Sequence, residues 1–259
     1  MKKHNFSAGP SILPISVFEQ ASQAVIEFEN TGLSILEISH RSKEFISVLE
    51  RAKANVLELS GLTGKGYQVL FLQGGASMQF LMTAYNLLQN KAAYIDTGVW
   101  AHNALKEAQL IGNIDDIASS KDNGYRNIPK QIEIKEDYDY LHFTTNNTIY
   151  GTQFHSIPDV NVPLIADMSS DIFSREMSFE KFSLIYAGAQ KNIGIAGATL
   201  VIIREDILGK VSRVIPTLLD YQVLINNESM SNTPSTYAIY VSYLTMEGRK
   251  NQGGCKSIE

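Results

Sequence analysis

The sequence has little of what several classes of protein depend on. Cys255 is the only cysteine, so no internal disulfide can form, and this usage suits a reducing compartment. The longest apolar stretch, residues 194–203, is far too short to span a bilayer. The basic start of the chain runs into FSAGP (residues 6–10) rather than into an apolar segment, so we expect no signal peptide. We therefore expect a cytoplasmic protein that does not associate with membranes.

Positive charge is scarce as well. The 22 lysines and arginines are outnumbered by 27 aspartates and glutamates, which gives a net charge of −5 without any basic run. Such a chain has no broad attraction for nucleic acid, so we expect no nucleic-acid partner. The histidines lack ligand spacing such as HxxxH, and with one cysteine we expect no metal site. The remaining composition, 44% hydrophobic and 19% charged, is typical of a globular protein with a substantial core.

Short apolar runs alternate along the chain with stretches of helical spacing. This alternation is typical of a largely parallel β-sheet covered by helices on both faces. Ligands of such sheets bind at the carboxyl ends of the strands. The predicted strands are Gln68–Leu72, Ala92–Asp96, Tyr140–Thr144, Pro163–Asp167, Leu184–Ala187 and Ala198–Arg204. The predicted helical faces are Phe18/Ala21/Val25/Phe28, Phe45/Leu49/Ala52/Val56/Leu59 and Met78/Leu81/Met82/Tyr85, and a further helix is predicted over Asn103–Ile111.

Lys191 follows the predicted strand LIYAG and precedes the small-residue turn Gly194–Gly197. A lysine is most often a solvated surface charge. Here the flanks are apolar and rich in glycine, which favours a side chain that enters a half-buried cleft. Burial lowers the pKa of an amine, and a lysine that forms a Schiff base needs such a pKa. The flanks alone leave both interpretations open.

Asp167 ends the apolar run Val162–Ala166, 24 residues before Lys191. Its carboxylate is suited to cap the following turn through Ser169 or Ser170, which is a purely structural interpretation. The functional interpretation is a salt bridge to the ring nitrogen of a pyridine cofactor, which makes that ring a better electron sink. One crossover connection fits between the two positions, so the pair is more informative than either residue alone.

Three further features allow both a ligand-binding and an ordinary interpretation. The turn Gly74–Ser77 lies between a strand and a helix, where free N–H groups favour a phosphate, although it is also an ordinary tight turn. It is not GxGxxG, which argues against a dinucleotide and a dehydrogenase. Trp100 is suited to stack on an aromatic cofactor or to pack in a core or interface. His40 and Arg41 suit a phosphate or carboxylate, or a surface ion pair.

Taken together, these segments resemble the phosphoserine aminotransferase family, which belongs to the class-V, fold-type I pyridoxal-phosphate enzymes. The resemblance implies an α/β fold with a mostly parallel seven-stranded sheet flanked by helices. GAQKNIG and NNTIYGTQF are its most specific motifs. The motifs are FSAGP (6–10), SHRS (39–42), FLQGGAS (71–77), DTGVW (96–100), NNTIYGTQF (146–154), ADMSSD (166–171), GAQKNIG (188–194), IPTLLDYQ (215–222), SNTPSTYAIY (231–240) and NQGG (251–254).

The resemblance implies pyridoxal 5'-phosphate as cofactor and a role for each matching residue. Lys191 would form the Schiff base and then act as the acid and base of the reaction. Asp167 would pair with the pyridine nitrogen, Trp100 would stack on the ring, and Thr148 would donate to the ring hydroxyl. The residues implied for the cofactor phosphate are Ala76, Ser77 and Gln190, with Asn232 and Thr233 reaching it from a neighbouring subunit of a homodimer.

The implied reaction interconverts phosphoserine plus 2-oxoglutarate with 3-phosphooxypyruvate plus glutamate. It implies a role in serine biosynthesis, with pyridoxine biosynthesis as a second implied role. Ser7, His40 and Arg41 match the substrate side, where Arg41 would hold the phosphate of phosphoserine or the side-chain carboxylate of glutamate.

The resemblance also implies a domain organisation. Residues 1–15 match an N-terminal segment that packs with a small domain, and residues 16–259 match the cofactor-binding large domain. In the family a C-terminal small domain follows, with a second His-Arg pair for the substrate phosphate and an arginine for the α-carboxylate. Because this sequence ends at Glu259, we expect a chain without that small domain. A rival hypothesis is a non-catalytic remnant that binds the cofactor or a partner subunit.

Overall fold

A computed structural model describes residues 3–257 of the chain; the outermost bounds of the two expected segments, Met1 and Glu259, lie outside this range. The α-helices in the described range are α1 (Ile15–Ile26), α2 (Lys43–Ser60), α3 (Gly75–Leu87), α4 (Val99–Gln109), α5 (Tyr221–Asn226) and α6 (Thr236–Asn251). The strands are β1 (Tyr67–Leu72), β2 (Lys91–Asp96), β3 (Asn113–Ser119), β4 (Leu141–Thr144), β5 (Asn146–Asn147), β6 (Thr152–Gln153), β7 (Leu164–Asp167), β8 (Leu184–Gly188) and β9 (Thr199–Arg204). None of the helices in the described range is both long and apolar enough to cross a membrane.

Seven strands form one sheet in the order β1-β9-β8-β7-β4-β2-β3, while β5 and β6 form a separate hairpin. Every neighbouring pair from β8 to β3 is parallel, and β9 is antiparallel to both β8 and β1. The connection between β8 and β9, residues 189–198, contains no helix, and a parallel return needs a dozen or more residues. The expected α/β fold with a mostly parallel seven-stranded sheet is confirmed.

The sheet separates two apolar cores. On one face α1, α2 and α6 pack together, and the rings of Phe143, Phe154 and Phe182 lie against one another beneath them. On the other face α3, α4 and α5 cover a core that includes Tyr94 and Tyr186. Along each strand, successive side chains point to opposite faces of the sheet. The residues between those of the first core therefore point to the second face, and the candidate site lies on that face.

Helix α2 follows its sequence signals closely. The side chain of Ser42 accepts a hydrogen bond from the N–H of Phe45, Glu44 stands in the first turn, and Gly61 ends the helix with φ 67°. The predicted face is buried from Phe45 to Val56, and Leu59 is half-buried. The spacing of apolar residues therefore predicted the packing of this helix.

The apolar face predicted for α1 is displaced in the structure. Phe18 is 47% exposed, and the residues that the helix buries are Val17, Ala21 and Ala24. Phe28 is fully buried, but it lies beyond the helix end at Ile26. The spacing from Phe18 to Phe28 therefore suggested one continuous helical face, although it extends past the end of α1 into the following turn.

Two further elements, one helix and one strand, differ from the sequence expectation. Helix α4 begins at Val99 rather than Asn103, so Trp100 lies in its first turn and not in a loop. Strand β3 was not predicted, because Asp115 and Asp116 interrupt its apolar pattern. This pattern suits a strand that pairs only with β2 at the edge of the sheet and stays half-exposed.

Candidate active site

The candidate site lies at the carboxyl edge of the parallel strands. Asp167 is the last residue of β7, and Thr144, the last residue of β4, pairs with it in register. Lys191 follows the end of β8 by three residues. Because the parallel strands end at one edge, the sheet brings the two residues that the sequence singled out to the same place.

The Asp167 carboxylate is almost completely buried, with 4% of the residue exposed. Its Oδ1 accepts hydrogen bonds from the N–H of Ser169 at 2.9 Å and from the Ser169 hydroxyl at 2.7 Å. Burial raises the pKa of the Asp167 carboxyl, and these two hydrogen bonds and the charge of Lys191 oppose that rise. The turn-capping interpretation is therefore correct, and the same carboxylate still interacts electrostatically with Lys191.

Ser169 links the acidic residue to the strand that precedes the lysine. Its hydroxyl donates to Asp167 and accepts a hydrogen bond from the N–H of Gly188 at 3.1 Å. Gly188 is the last residue of β8. One side chain thus fixes the end of β7 relative to the end of β8. The sequence indicates Ser169 only as a capping partner and gives no sign of this second contact.

The turn that carries Lys191 is held on both sides. The Asn192 side chain donates to the carbonyl of Ile172 at 3.0 Å. On α6, Ser242 lies so close that a Cβ on Gly194 would be 2.5 Å from its Oγ and 3.3 Å from its backbone N and Cα. Glycine is therefore needed for the lysine turn to lie against the helix. Lys191 itself is half-buried.

The glycine-rich turn forms the N-terminus of α3, as predicted. Gly74 has φ 90°, and a Cβ there would be 2.7 Å from Cβ of Met78, so both conformation and space require glycine. No side chain of the described chain caps this helix end. Ala76 is half-buried and Ser77 is exposed in the first turn. Open N–H groups at a helix N-terminus are suited to bind an anion.

Asn232 and Thr233 lie beside this turn within the same chain. The Asn232 side chain donates to Oε1 of Gln73 at 2.8 Å, and the Gln73 side chain donates to the carbonyl of Thr233 at 3.1 Å. Gln73 directly precedes the glycine turn. The structure therefore brings this segment to the expected anion site from within one chain; its contact with a second subunit stays a prediction.

Trp100 and Thr148 flank the carboxyl edge near β2 and β4. Trp100 is 37% exposed in the first turn of α4, and Thr148 is half-buried in the turn of the hairpin formed by β5 and β6. The hairpin is tied to the β2 side through Asn147, whose side chain donates to Oγ1 of Thr97 at 3.2 Å. It is tied to the β7 side by Asn146, which donates to Oγ of Ser170 at 2.8 Å.

A buried carboxylate that the sequence analysis did not single out fastens the same hairpin. Asp171 accepts hydrogen bonds from Thr145 at 2.5 Å and from the Gln153 side chain at 3.2 Å. Burial raises the pKa of the Asp171 carboxyl, and these bonds oppose the rise. The segment with Thr148 is thus tied to the loop after Asp167. The ADMSSD motif contained this signal as a second aspartate two residues after Ser169.

The structure does not join Ser7, His40 and Arg41 to Lys191 or Asp167 by any hydrogen bond or ion pair among the described residues. Ser7 is exposed, His40 is half-buried, and Arg41 is exposed just before the N-terminus of α2. The Arg41 guanidinium makes no salt bridge with any residue in the range 3–257. It is open to an anion from solution.

The buried polar atoms at the carboxyl edge that have no hydrogen-bond partner among the described residues include Oγ1 of Thr144, Oγ1 of Thr199, Oδ1 of Asn147 and Oδ1 of Asp96. Thr144 pairs with Asp167 and Thr199 pairs with Gly188, so both face the candidate site. Buried polar atoms without partners are rare and call for a ligand or a water molecule. With the open end of α3, they fit a polar, phosphate-bearing cofactor. In the described part of the chain no His, Cys, Asp and Glu side chains cluster as metal ligands would.

Fold and site together define an α/β protein that presents a half-buried lysine opposite a buried aspartate beside an open helix N-terminus. The model of the aminotransferase class-V family matches residues 3–258. A phosphoserine aminotransferase of Flavobacterium johnsoniae is 60% identical over all of this chain and 73% of its own length. The chain therefore belongs to the class-V aminotransferases.

Two solved structures of phosphoserine aminotransferases extend the comparison. That of the enzyme from Bacillus circulans subsp. alkalophilus is 44% identical with a TM-score of 0.94, covering 98% of this chain and 72% of that one. The enzyme from Trichomonas vaginalis, bound to pyridoxal phosphate, is 32% identical with a TM-score of 0.90, covering 99% of this chain and 73% of that one. The expected family and its cofactor, pyridoxal phosphate, are confirmed.

Below the site lies a buried cluster of aromatic side chains that the sequence analysis missed. The His142 ring stacks between Tyr94 and Tyr186, with ring centroids 4.7 and 5.8 Å away. Its Nε2 is hydrogen-bonded to the Tyr186 hydroxyl at 2.7 Å, and its Nδ1 has no partner among the described residues. Burial lowers the pKa of His142 to about 3. Tyr186 pairs with Asp167, so this cluster supports the floor of the site.

The buried neutral His142 predicts a loss of stability in acid. Its pKa is about 3 in the folded chain and about 6.5 when unfolded, so its contribution is complete above pH 6.5 and falls as the pH decreases toward 3. Between pH 7 and pH 5 the free energy of unfolding should drop by about 2 kcal/mol from this group alone. Urea unfolding at both pH values, compared with His142→Phe, isolates that part. An equal pH dependence in both proteins would contradict the prediction.

Proposed function

We propose that the chain is a phosphoserine aminotransferase that transfers the amino group between phosphoserine and 2-oxoglutarate, yielding 3-phosphooxypyruvate and glutamate. The observation that carries the proposal is the fixed arrangement of Lys191 and the buried Asp167 at one edge of the sheet. The names of the related proteins support the choice of substrate. A role in serine biosynthesis in the cytoplasm follows from this activity, and a role in pyridoxine biosynthesis is a further proposal.

The residues that would hold pyridoxal phosphate lie around the strand ends. When bound, the cofactor supplies an aldehyde that combines with amines and a ring that withdraws electrons from the substrate carbon. Asp167 would place its negative charge at the ring nitrogen, which compensates for the burial of the carboxylate. Trp100 would cover one face of the ring, and Thr148 would donate to the ring hydroxyl. Ala76 and Ser77 at the start of α3, together with Gln190, would bind the phosphate.

Lys191 would have two tasks in this reaction. Its Nζ would hold the cofactor before the substrate binds, and its free amine would then move the proton at the substrate carbon. The amine acts as a base in its neutral form, and its half-buried position places it beside the bound substrate carbon in the proposed reaction. Asp167 balances the positive charge that develops nearby.

Substrate binding would use the open cation at the start of α2. Arg41 has no acidic partner among the described residues, so its guanidinium is available for the phosphate of phosphoserine or the side-chain carboxylate of glutamate. His40 and Ser7 would assist it. The proposed division of the chain is an N-terminal segment of residues 1–15 and a cofactor-binding domain from residue 16.

A homodimer with shared active sites is the proposed assembly, in which Asn232 and Thr233 would reach the neighbouring subunit's cofactor phosphate. Its support is a set of exposed apolar side chains on elements that touch one another. Met78 on α3, Trp100 on α4 and Leu218 are 38%, 37% and 56% exposed. Helix α3 packs against both α4 and the short turn that contains Leu218. Exposed apolar patches of this kind mark interaction surfaces.

Replacement of Lys191 with alanine tests the proposed attachment of the cofactor. The purified wild-type protein, loaded with pyridoxal phosphate, should show the visible absorbance of a lysine-bound cofactor, and Lys191→Ala should lose it completely because no amine remains at that position. The control is Lys106→Ala, a change of an exposed lysine on α4, which should keep the absorbance. An unchanged spectrum in Lys191→Ala would refute the assignment.

Addition of single amino acids distinguishes a catalyst from a binding remnant. With glutamate or phosphoserine, the loaded protein should lose the absorbance of the lysine-bound cofactor as the amino group moves to the cofactor. Arg41→Ala should weaken the apparent affinity for phosphoserine by at least about tenfold, since a charge-assisted hydrogen bond contributes about 1.5–3 kcal/mol. Stopped-flow absorbance measures both effects. A bound cofactor that neither amino acid converts would instead support the remnant.

A charge within the proposed dimer surface should separate the subunits. Leu218→Glu is expected to raise the dissociation constant at least about tenfold, because an unpaired carboxylate would be buried in the interface. Ile26→Glu is the matched control, as Ile26 is 75% exposed on α1 and away from that surface. Sedimentation velocity over a range of concentrations gives the assembly state. A wild-type protein that is monomeric at all concentrations would contradict the proposed dimer.

A further inference from the structure

The N-terminal segment, residues 9–11, lies against the lysine turn. The N–H of Ser11 donates to the carbonyl of Gln190 at 3.0 Å, and the Ser11 hydroxyl donates to the carbonyl of Lys191. A single residue thus binds two consecutive carbonyl groups of the turn. These bonds join positions about 180 residues apart in sequence, so they are a tertiary contact and not part of a local turn.

Gly9 lies over the side chain of the same lysine. A Cβ on Gly9 would be 3.0 Å from Cγ of Lys191, 3.4 Å from its Cε and 3.7 Å from its Cδ. All three of the nearest atoms belong to Lys191. The φ of Gly9 is not in the left-handed region, so its φ alone does not exclude an alanine there. A Cβ on Gly9 would therefore crowd the stem of the Lys191 side chain.

We propose that Ser11 and Gly9 are positioning residues for Lys191: Ser11 fixes the main chain of the lysine, and Gly9 leaves its side chain room to move. This inference rests on the proposed function, in which Nζ must first hold the cofactor and then move to the substrate carbon. A lysine with a loose main chain would place Nζ poorly, and a lysine with a crowded stem would move slowly. Ser11 meets the first of these requirements, and Gly9, two positions before it, meets the second.

The contacts made by Ser11 and Gly9 complement those on the other side of the turn. Asn192 binds the carbonyl of Ile172, and Gly194 lies against Ser242 of α6. Residues 190–194 are therefore held by the N-terminal segment, by the loop after β7 and by α6. The Lys191 side chain itself makes no hydrogen bond to the described residues. These contacts fix the main chain of the turn, while the Lys191 side chain stays free to move, as the proposed reaction requires.

The test compares Gly9→Ala and Ser11→Ala with the matched controls Gly248→Ala and Ser22→Ala in the full chain. Gly248 has no heavy atom of another element within 4 Å of an added Cβ, and the Ser22 hydroxyl donates to a carbonyl on the exposed side of α1. Three quantities are measured for each protein: the rate at which the cofactor-free protein captures pyridoxal phosphate, the pH midpoint of the absorbance of the lysine-bound cofactor, and the thermal midpoint of unfolding.

Gly9→Ala should capture the cofactor roughly tenfold more slowly, since a misplacement of about 1 Å at a reacting group can cost about a hundredfold and the added Cβ displaces the lysine stem by less. Ser11→Ala should shift the pH midpoint of the absorbance, because Nζ takes a wider range of positions relative to Asp167. Both controls should match the wild-type protein in the rate of cofactor capture and in the pH midpoint of the absorbance. Gly9→Ala should unfold at the wild-type temperature, since Gly9 is exposed.

Three results would count against the inference, and they have different meanings. If Lys191→Ala keeps the absorbance, the proposed function fails, and the inference fails with it. If Lys191→Ala loses the absorbance while Gly9→Ala and Ser11→Ala keep the wild-type capture rate and pH midpoint, only the positioning role is overturned. A capture rate that falls in Gly248→Ala and Ser22→Ala as much as in the two site variants also overturns it, because the effect would then be a general loss of stability.

Discussion

The candidate site depends on one short chain of hydrogen bonds: the N–H of Gly188 to the Ser169 hydroxyl, and that hydroxyl to the Asp167 carboxylate. Burial of a carboxylate is costly unless it is hydrogen-bonded and near a positive charge. Ser169 supplies the bonds and Lys191 the charge. Because the same serine connects two neighbouring strands, it fixes the distance between the acid at the end of β7 and the lysine turn after β8. The remaining site residues are arranged around this fixed pair.

The reversed direction of β9 is what makes the lysine turn so confined. A parallel neighbour of β8 would need a long crossover, whereas the antiparallel β9 returns after residues 189–198. The chain must therefore turn back at the site itself, and it does so against α6, where Gly194 permits the close approach to Ser242. The strand arrangement thus converts an ordinary connection into a rigid support for one side chain.

The sequence was sufficient to predict what rests on local pattern. The strand ends that position Asp167 and Lys191 were predicted within one or two residues, as was the helix start after Gly74, because apolar runs and glycines are local signals. What it did not predict depends on partners distant in sequence. Ser11 gives no local sign of its contact with Lys191, and His142 looks like any other histidine until β4 and β8 place it beside Tyr186. Likewise β3 is recognisable as a strand only through its pairing with β2.

The negative net charge of the chain constrains how it would bind an anionic substrate and cofactor. A protein of charge −5 does not attract anions over long range, so the attraction has to be local. The groups of local positive charge are the N-terminus of α3, Lys191, and Arg41 just before α2, and Arg41 makes no salt bridge with any residue that the structure describes. Helix ends and fixed side chains act within a few ångströms, so they discriminate by geometry and not by charge alone. In the proposed function, selectivity for a phosphorylated amino acid would therefore arise from the spacing between these positive groups.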